Sequence, residues 1–226
     1  MMKPSPMPCI KLSYDIDEDS PHFPSARPPE RIQRSSIGKG DASNSLSVTL
    51  YTHYGTHVDA PYHFIQDGLK ITDLDVNQFY FKKPLTIDIP KEGDQPIKQE
   101  DLERFEKEIL GKDLLLLRTG FSKYRHDHGK YLSNPYIAVD AAHYLIDRFP
   151  ELRGLGIDFI SALNLKFRPI GIEAHQILLG GSPQKRFLLL FEDLHLDFGD
   201  RTLSEVFGLP LFVKDAEAFP CTIIAR

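Results

Sequence analysis

The sequence predicts a mixed α/β (α+β) fold in a single domain covering residues 1–226, on three observations. Short apolar runs rich in β-branched and aromatic residues are interleaved with longer amphipathic stretches. A chain of 226 residues is long enough for one substantial core. A hydrophobic fraction of 41% and a charged fraction of 26% are those of an ordinary folded protein.

Residues 8–16 alternate well enough for an early strand. Residues 17–45 hold prolines, many serines and few aliphatics, so a long loop is expected there. Residues 46–54 (LSVTLYTHY) predict a strand that runs into a histidine-rich segment. An apolar stretch at 79–89 is interrupted by Pro84 and closed by Pro90. Residues 99–110 predict one amphipathic helix, with Leu102, Phe105, Ile109 and Leu110 near one face. Four consecutive leucines within 113–118 predict a buried strand that feeds a turn at Thr119-Gly120. A helix is expected over 139–149, stopped by Pro150, and strands over 155–158, 187–190, 209–213 and 222–225. No internal repeat is visible.

Composition excludes several functions. The net charge is −5, from 27 Lys+Arg against 32 Asp+Glu, so no basic surplus exists to bind a phosphate backbone. Cys9 and Cys221 allow one disulfide at most and cannot build a thiolate zinc site. Residues 1–10 contain three prolines and no apolar leader core, and no window is apolar enough to span a membrane. A cytoplasmic protein acting on small molecules is expected.

The chemistry concentrates in His53-Tyr-Gly-Thr-His57-Val-Asp59-Ala-Pro-Tyr-His63. His53, His57, Asp59 and His63 all carry odd numbers, so in an extended segment all four project to one side. Pro61 opposes a continuous helix, and Gly55 permits a sharp bend. Imidazoles and a carboxylate gathered on one face are the ligand set of a divalent ion such as zinc, manganese or iron. Surface or packed histidines are common, but four ligand-type residues in so short a segment favour the metal. Further ligands must come from elsewhere. His126 and His128 sit in a polar stretch and read as solvated, and His143 lies on a predicted helix. His175, before an apolar segment, and Glu192, at the end of an apolar strand, are the distal candidates; each could equally be a packed or strand-tip residue.

The segment from His53 to Phe64 resembles the signature of the cyclase-like metal-dependent hydrolases, a family that includes bacterial kynurenine formamidases and isatin hydrolases. The resemblance continues through Leu12-Ser13, Pro21-His22-Phe23-Pro24, Arg118-Thr119-Gly120-Phe121, residues 154–158 with Ser161, Ala174-His175 and Phe191-Glu192-Asp193-Leu194. It implies a swivelling β/β/α fold, a homodimer or homotetramer, and one or two ions per subunit, zinc first and manganese or iron after it. It implies His53, His57, Asp59, His175 and Glu192 as metal ligands, with Asp59 and Glu192 bridging. His63 would be the general acid/base, and Phe23 and Phe64 would line the substrate pocket. The implied reaction is hydrolysis of the C–N bond of a linear or cyclic amide by a water that a metal acidifies from a pKa of 15.7 to about 7. Two features depart from the family pattern. Residues 180–186 lengthen the interval between His175 and Glu192, and Phe23 stands where many members carry tryptophan. A phenyl ring lacks the indole donor, which argues against N-formylkynurenine as the substrate. A cyclase or dehydratase using the same ion, and a metal-binding protein without turnover, are the alternatives. No Gly-x-Ser-x-Gly elbow or phosphate-binding glycine loop occurs.

Overall fold

Leu114, Leu115, Leu116 and Leu117 are all buried, and they fall alternately into two separate cores. A strand so apolar must lie inside a sheet covered on both faces. The computed structural model describes residues 8–182 and 185–226, so residues 1–7 of the N-terminal reading, and 183–184 of the lengthened interval, lie outside the described residues.

Thirteen strands are described. They are β1 (Ile10–Lys11), β2 (Glu30–Ser35), β3 (Ser45–Thr49), β4 (His57–Asp59), β5 (Tyr80–Phe81), β6 (Pro84–Asp88) and β7 (Pro96–Ile97). There follow β8 (Leu114–Arg118), β9 (Tyr136–Ile137), β10 (Gly154–Ile157), β11 (Leu189–Glu192), β12 (Val206–Pro210) and β13 (Ala218–Ala225). The helices are α1 (Gln99–Glu103), α2 (Glu106–Ile109), α3 (His128–Tyr131), α4 (Val139–Arg148) and α5 (Arg168–Gln176). A nine-stranded sheet runs β5-β12-β13-β4-β11-β10-β8-β6, with β1 pairing β13. β6, β8, β10 and β11 are mutually parallel, whereas β4, β12 and β13 join by antiparallel pairing. The mixed α/β class read from the sequence is the class observed.

The two faces are set by strand alternation. Leu115, Leu117, Leu155, Ile157 and Leu190 belong to the core under α4 and α5. Leu114, Leu116, Val58, Leu189 and Phe191 belong to the opposite core. His57, Asp59 and Glu192, at the intervening positions of β4 and β11, therefore face the α4–α5 side.

Several expectations change. Residues 17–45 are not one loop: β2 pairs antiparallel with β3 in a hairpin outside the large sheet. The ERIQRS strand has no buried face, so backbone pairing and polar side-chain bonds such as Arg34 Nε to Ser47 Oγ (2.8 Å) define it. The strand expected over 46–54 ends at Thr49 and does not enter the large sheet. The single helix expected over 99–110 is two short ones, broken at Arg104-Phe105. β1, β8, α4, β10, β11 and β13 fall where strands and helix were expected, within a few residues, and β6 lies within the apolar stretch at 79–89. The disulfide left open by the sequence does not form. The β1–β13 register sets Ile10 opposite Ala225, away from Cys221, and both cysteines are free.

A buried ion pair ties the sheet to the segment that carries the histidines. Arg125 donates to Asp193 through Nε (2.9 Å) and Nη2 (2.8 Å), and Tyr131 Oη donates to Asp193 Oδ1 (2.7 Å). Thr56 Oγ1 donates to the Asp193 carbonyl (2.5 Å). The Arg125 guanidinium also lies 3.8 Å from the centroid of the Tyr14 ring. Arg125→Met strands the Asp193 carboxylate in the interior, so stability should fall by about 3–5 kcal/mol. Urea unfolding of the chelator-treated protein measures this, and a loss below about 1 kcal/mol, the value of an exposed pair, contradicts it.

Candidate metal centre

The histidine-rich segment is extended over only three residues, β4. Before it the chain turns at Gly55, whose φ of +64° suits glycine. After it Pro61 opens a 3-10 turn, Pro61–His63, a position where its missing N–H costs nothing. The expectation of one continuous extended segment is thus replaced by turn, strand and turn. The four side chains still converge, because the two bends bring His53 and His63 back over Asp59.

The register between β4 and β11 sets His57 opposite Glu192. His57 Nε2 lies 3.5 Å from Asp59 Oδ1 and 3.4 Å from Glu192 Oε2. His53 Nδ1 lies 3.0 Å from Asp59 Oδ1. His175 arrives on α5 from across the cleft and puts Nε2 3.4 Å from Glu192 Oε1. Two overlapping ligand sets result, His53/His57/Asp59 and Asp59/His175/Glu192, each with donor atoms within 4.8 Å of one another. Asp59 belongs to both.

Three of these histidines have the ring nitrogen remote from the cluster engaged by an acceptor. His57 Nδ1 donates to the Gly55 carbonyl (2.9 Å) and His175 Nδ1 to the Gly171 carbonyl (2.8 Å). His53 Nε2 donates to Glu217 Oε1 (3.2 Å), which also accepts from Thr52 Oγ1 (2.6 Å). Such bonds fix the tautomer and aim the other nitrogen's lone pair at a metal. Glu192 is oriented in turn by Ser161 Oγ (3.1 Å) and the Ala162 N–H (2.7 Å), both donating to Oε1. His63 differs. No hydrogen bond holds its ring among the described residues, its Nε2 is 4.0 Å from Asp59 Oδ2, and its side chain is 26% exposed.

Burial sharpens the electrostatics. Burial raises the pKa of Glu192, but the close approach of His175 and His57 overcomes it and holds the carboxyl at about 2. Asp59, also buried, is held far below the usual carboxylate range by the charges of His63 and His53, which lie close to it. Burial lowers His53, yet Asp59 and Glu217 raise it to about 10. Burial, only partly opposed by Asp59, takes His63 down to about 4.

The donor set fits a divalent ion. His57 Nε2 and both oxygens of Asp59 are buried without a hydrogen-bond partner. Buried polar atoms in a native fold almost always have partners, so three orphans pointing at one another call for a cation between them.

The cluster forms the floor of a cavity of about 440 Å³. Its wall includes Phe23, Pro24, Ser25, Tyr51, Phe64, Leu163, Leu165 and Arg168. Phe23 and Phe64, the two aromatic residues singled out from the sequence, both line it. Phe64 packs against His175, ring centroids 4.7 Å apart. A larger surface cavity of about 740 Å³ around Asp73, Lys82 and Arg153 contains no part of this cluster.

His126, His128 and His143 are exposed and stand apart from the cluster. Sequence reasoning missed Glu217, Ser161 as a partner of Glu192, and Arg168. Glu217 has no histidine near it in the chain. Only the β4–β13 register, which sets Ala218 opposite Asp59, brings it to His53.

The family model described as "Putative cyclase" matches residues 10–162. A protein of Haemophilus influenzae with no assigned activity is 40% identical over 130 residues, covering 57% of this chain and 92% of its own. A kynurenine formamidase of Bacillus anthracis is 29% identical over 221 residues, covering 96% of both chains. Isatin hydrolase A from Ralstonia solanacearum superposes with a TM-score of 0.80 at 20% identity, over 96% of this chain and 91% of that one, which shows a shared fold.

Because His53 is held at about 10 in the metal-free protein, it is charged at pH 7 and must lose its proton to bind an ion. Metal binding should therefore release protons, and affinity should weaken as pH falls and strengthen as pH rises towards 10. Titration calorimetry of the stripped protein, in buffers of different ionisation enthalpy, counts the protons. Metal binding at pH 7 with none released contradicts the assignment.

Proposed function

This chain belongs to the Cyclase family, and from that premise we propose that it is a metal-dependent hydrolase of the C–N bond of linear or cyclic amides. The observation that carries the proposal is the pair of ligand sets sharing Asp59 at the floor of a largely apolar cavity, with an untethered histidine beside them. The kynurenine formamidase and isatin hydrolase relatives support the reaction class.

In this reading His53, His57, Asp59, His175 and Glu192 would hold one or two ions, Asp59 being common to both ligand sets. Imidazole and carboxylate donors favour zinc, with manganese or iron as substitutes. The ion supplies Lewis acidity and lowers the pKa of a water. His63 moves the proton. Held at about 4, it is neutral at pH 7 and free to accept a proton from the attacking water. As the C–O bond forms and the C–N bond breaks, His63 returns that proton to the leaving nitrogen, giving a carboxylic acid and an amine. Phe23 and Phe64 pack against the substrate and limit the entry of water.

We assign the same chain to the cytoplasm, in a homodimer or homotetramer. Assembly is supported by the β2–β3 hairpin, which exposes Ile32, Leu46 and Val48 at 38%, 52% and 49%. A two-stranded hairpin gains little stability by itself in water. Leu46→Glu with Val48→Glu should yield monomers by light scattering, and an unchanged mass rules out the hairpin as the contact.

Roles within the centre separate by mutation. His63→Ala should retain its metal by elemental analysis while kcat drops about 10²–10⁴-fold on a formyl-amide or isatin. His57→Ala and Asp59→Ala should lose the metal. If His63→Ala is stripped instead, His63 is a ligand; if the other two keep full occupancy, the centre is elsewhere.

A further inference from the structure

Besides the groups of the centre itself, the cavity wall contains one side chain that is charged at neutral pH, Arg168. Of the twelve arginines in the sequence, Arg27, Arg168 and Arg201 have no hydrogen bond or ion pair among the described residues, and only Arg168 lines this cavity. The others are occupied, for example Arg118 by Asp88, Arg125 by Asp193, Arg148 by Glu106 and Arg153 by Asp113. Arg168 is exposed at the rim, unpaired, in a cavity it shares with Leu163, Leu165 and Phe23, and a guanidinium is suited to bind a carboxylate there.

Its placement sets a length. Arg168 begins α5 and His175 lies seven residues on, so the two share a helix face two turns apart, about 10 Å along the axis. An amide carbonyl over the centre and an anion at Arg168 are then separated by a rigid spacer, which Phe23, Tyr51 and Phe64 can sandwich. The wall offers nothing for a second, positive charge. Its one carboxylate, Glu192, is already engaged by Ser161, Ala162, His57 and His175.

We propose that Arg168 is a specificity-determining residue that selects amides bearing a single negative charge, an aryl or similar spacer away from the scissile bond, over neutral and zwitterionic analogues. The inference rests on the amide-hydrolase reading for its substrate class and on the cavity wall for its charge preference.

Three probes of one skeleton test it on the metal-loaded protein: para-propylformanilide, para-formamidophenylpropanoate and para-formamidophenylalanine. The propanoate should exceed the other two in kcat/KM by about tenfold, through KM, the scale of one charge-assisted hydrogen bond. Arg168→Ala should bring that ratio close to one, and Arg168→Glu should shift preference to para-formamidophenethylamine, which a merely structural role would not do. Equal kcat/KM for the three probes, or an Arg168→Ala loss that is the same for all, overturns the proposal. Calorimetric binding of para-aminophenylpropanoate separates the two readings. If no formamide is cleaved but this anion binds in an Arg168-dependent way, the anion subsite stands and amide hydrolysis fails. If the formamides are cleaved without charge preference, amide hydrolysis stands and the subsite fails.

Discussion

Two carboxylates, Asp59 and Glu192, are buried within one cluster, and each is surrounded by histidines. Burying one carboxylate is unfavourable, and burying a second beside it is worse, since the charge of Asp59 pushes the pKa of Glu192 upward. Only positive charge at the same place can offset that. In the metal-free chain it comes from protons on His53, His57 and His175, all raised by the neighbouring acids. A divalent ion supplies the same charge more compactly and satisfies the orphaned oxygens of Asp59. The surrounding fold is arranged to hold these like charges together.

That arrangement is a sheet register reinforced from outside. β4 is only three residues long, yet β11 pairs it on one side and β13 on the other. The first pairing delivers Glu192 and the second Glu217. Beyond β11 the chain turns at Asp193, whose φ of +55° is unusual for a residue with a side chain. Arg125 and Tyr131 hold that turn through the Asp193 carboxylate, and Thr56 through its carbonyl. The residue before His57 and the residue after Glu192 are therefore bonded to each other, so the spacing of the ligands does not depend on the metal alone.

How much of this was legible in the sequence follows from how local each signal is. The His53–His63 segment concentrates its ligands in one short stretch, so its chemistry could be read even though its conformation could not. The buried strands could be read because burial on both faces leaves an unbroken apolar run. The helix bearing His175 was hidden by Pro169 and Gly171, which look like breakers. Pro169 sits in the first turn, where it is tolerated. Gly171 is there because a Cβ would come within 3 Å of Leu163. Glu217, more than a hundred and fifty residues from His53, meets it only through strand pairing. The hairpin was read as loop because no pattern of burial marks it.

Four histidines in one region differ in how their rings are held, and that difference supports the separate parts proposed for them. A histidine whose remote nitrogen is bonded to a fixed acceptor has its tautomer decided and can serve one nitrogen to a metal, but it cannot exchange that remote proton without breaking the bond. His53, His57 and His175 are in that position. His63 has neither the bond nor the proton: burial takes its pKa to about 4, and the nearest carboxylate oxygen is 4.0 Å away. A cation at the centre would lower it further by repulsion, so the direction does not reverse when metal is bound. What remains is a neutral imidazole, partly open to the cavity and packed between the rings of His53 and Phe64, which suits the proton-carrying role proposed for it. The division of labour we propose thus rests on hydrogen bonding outside the centre, and not on the identity of the residues within it.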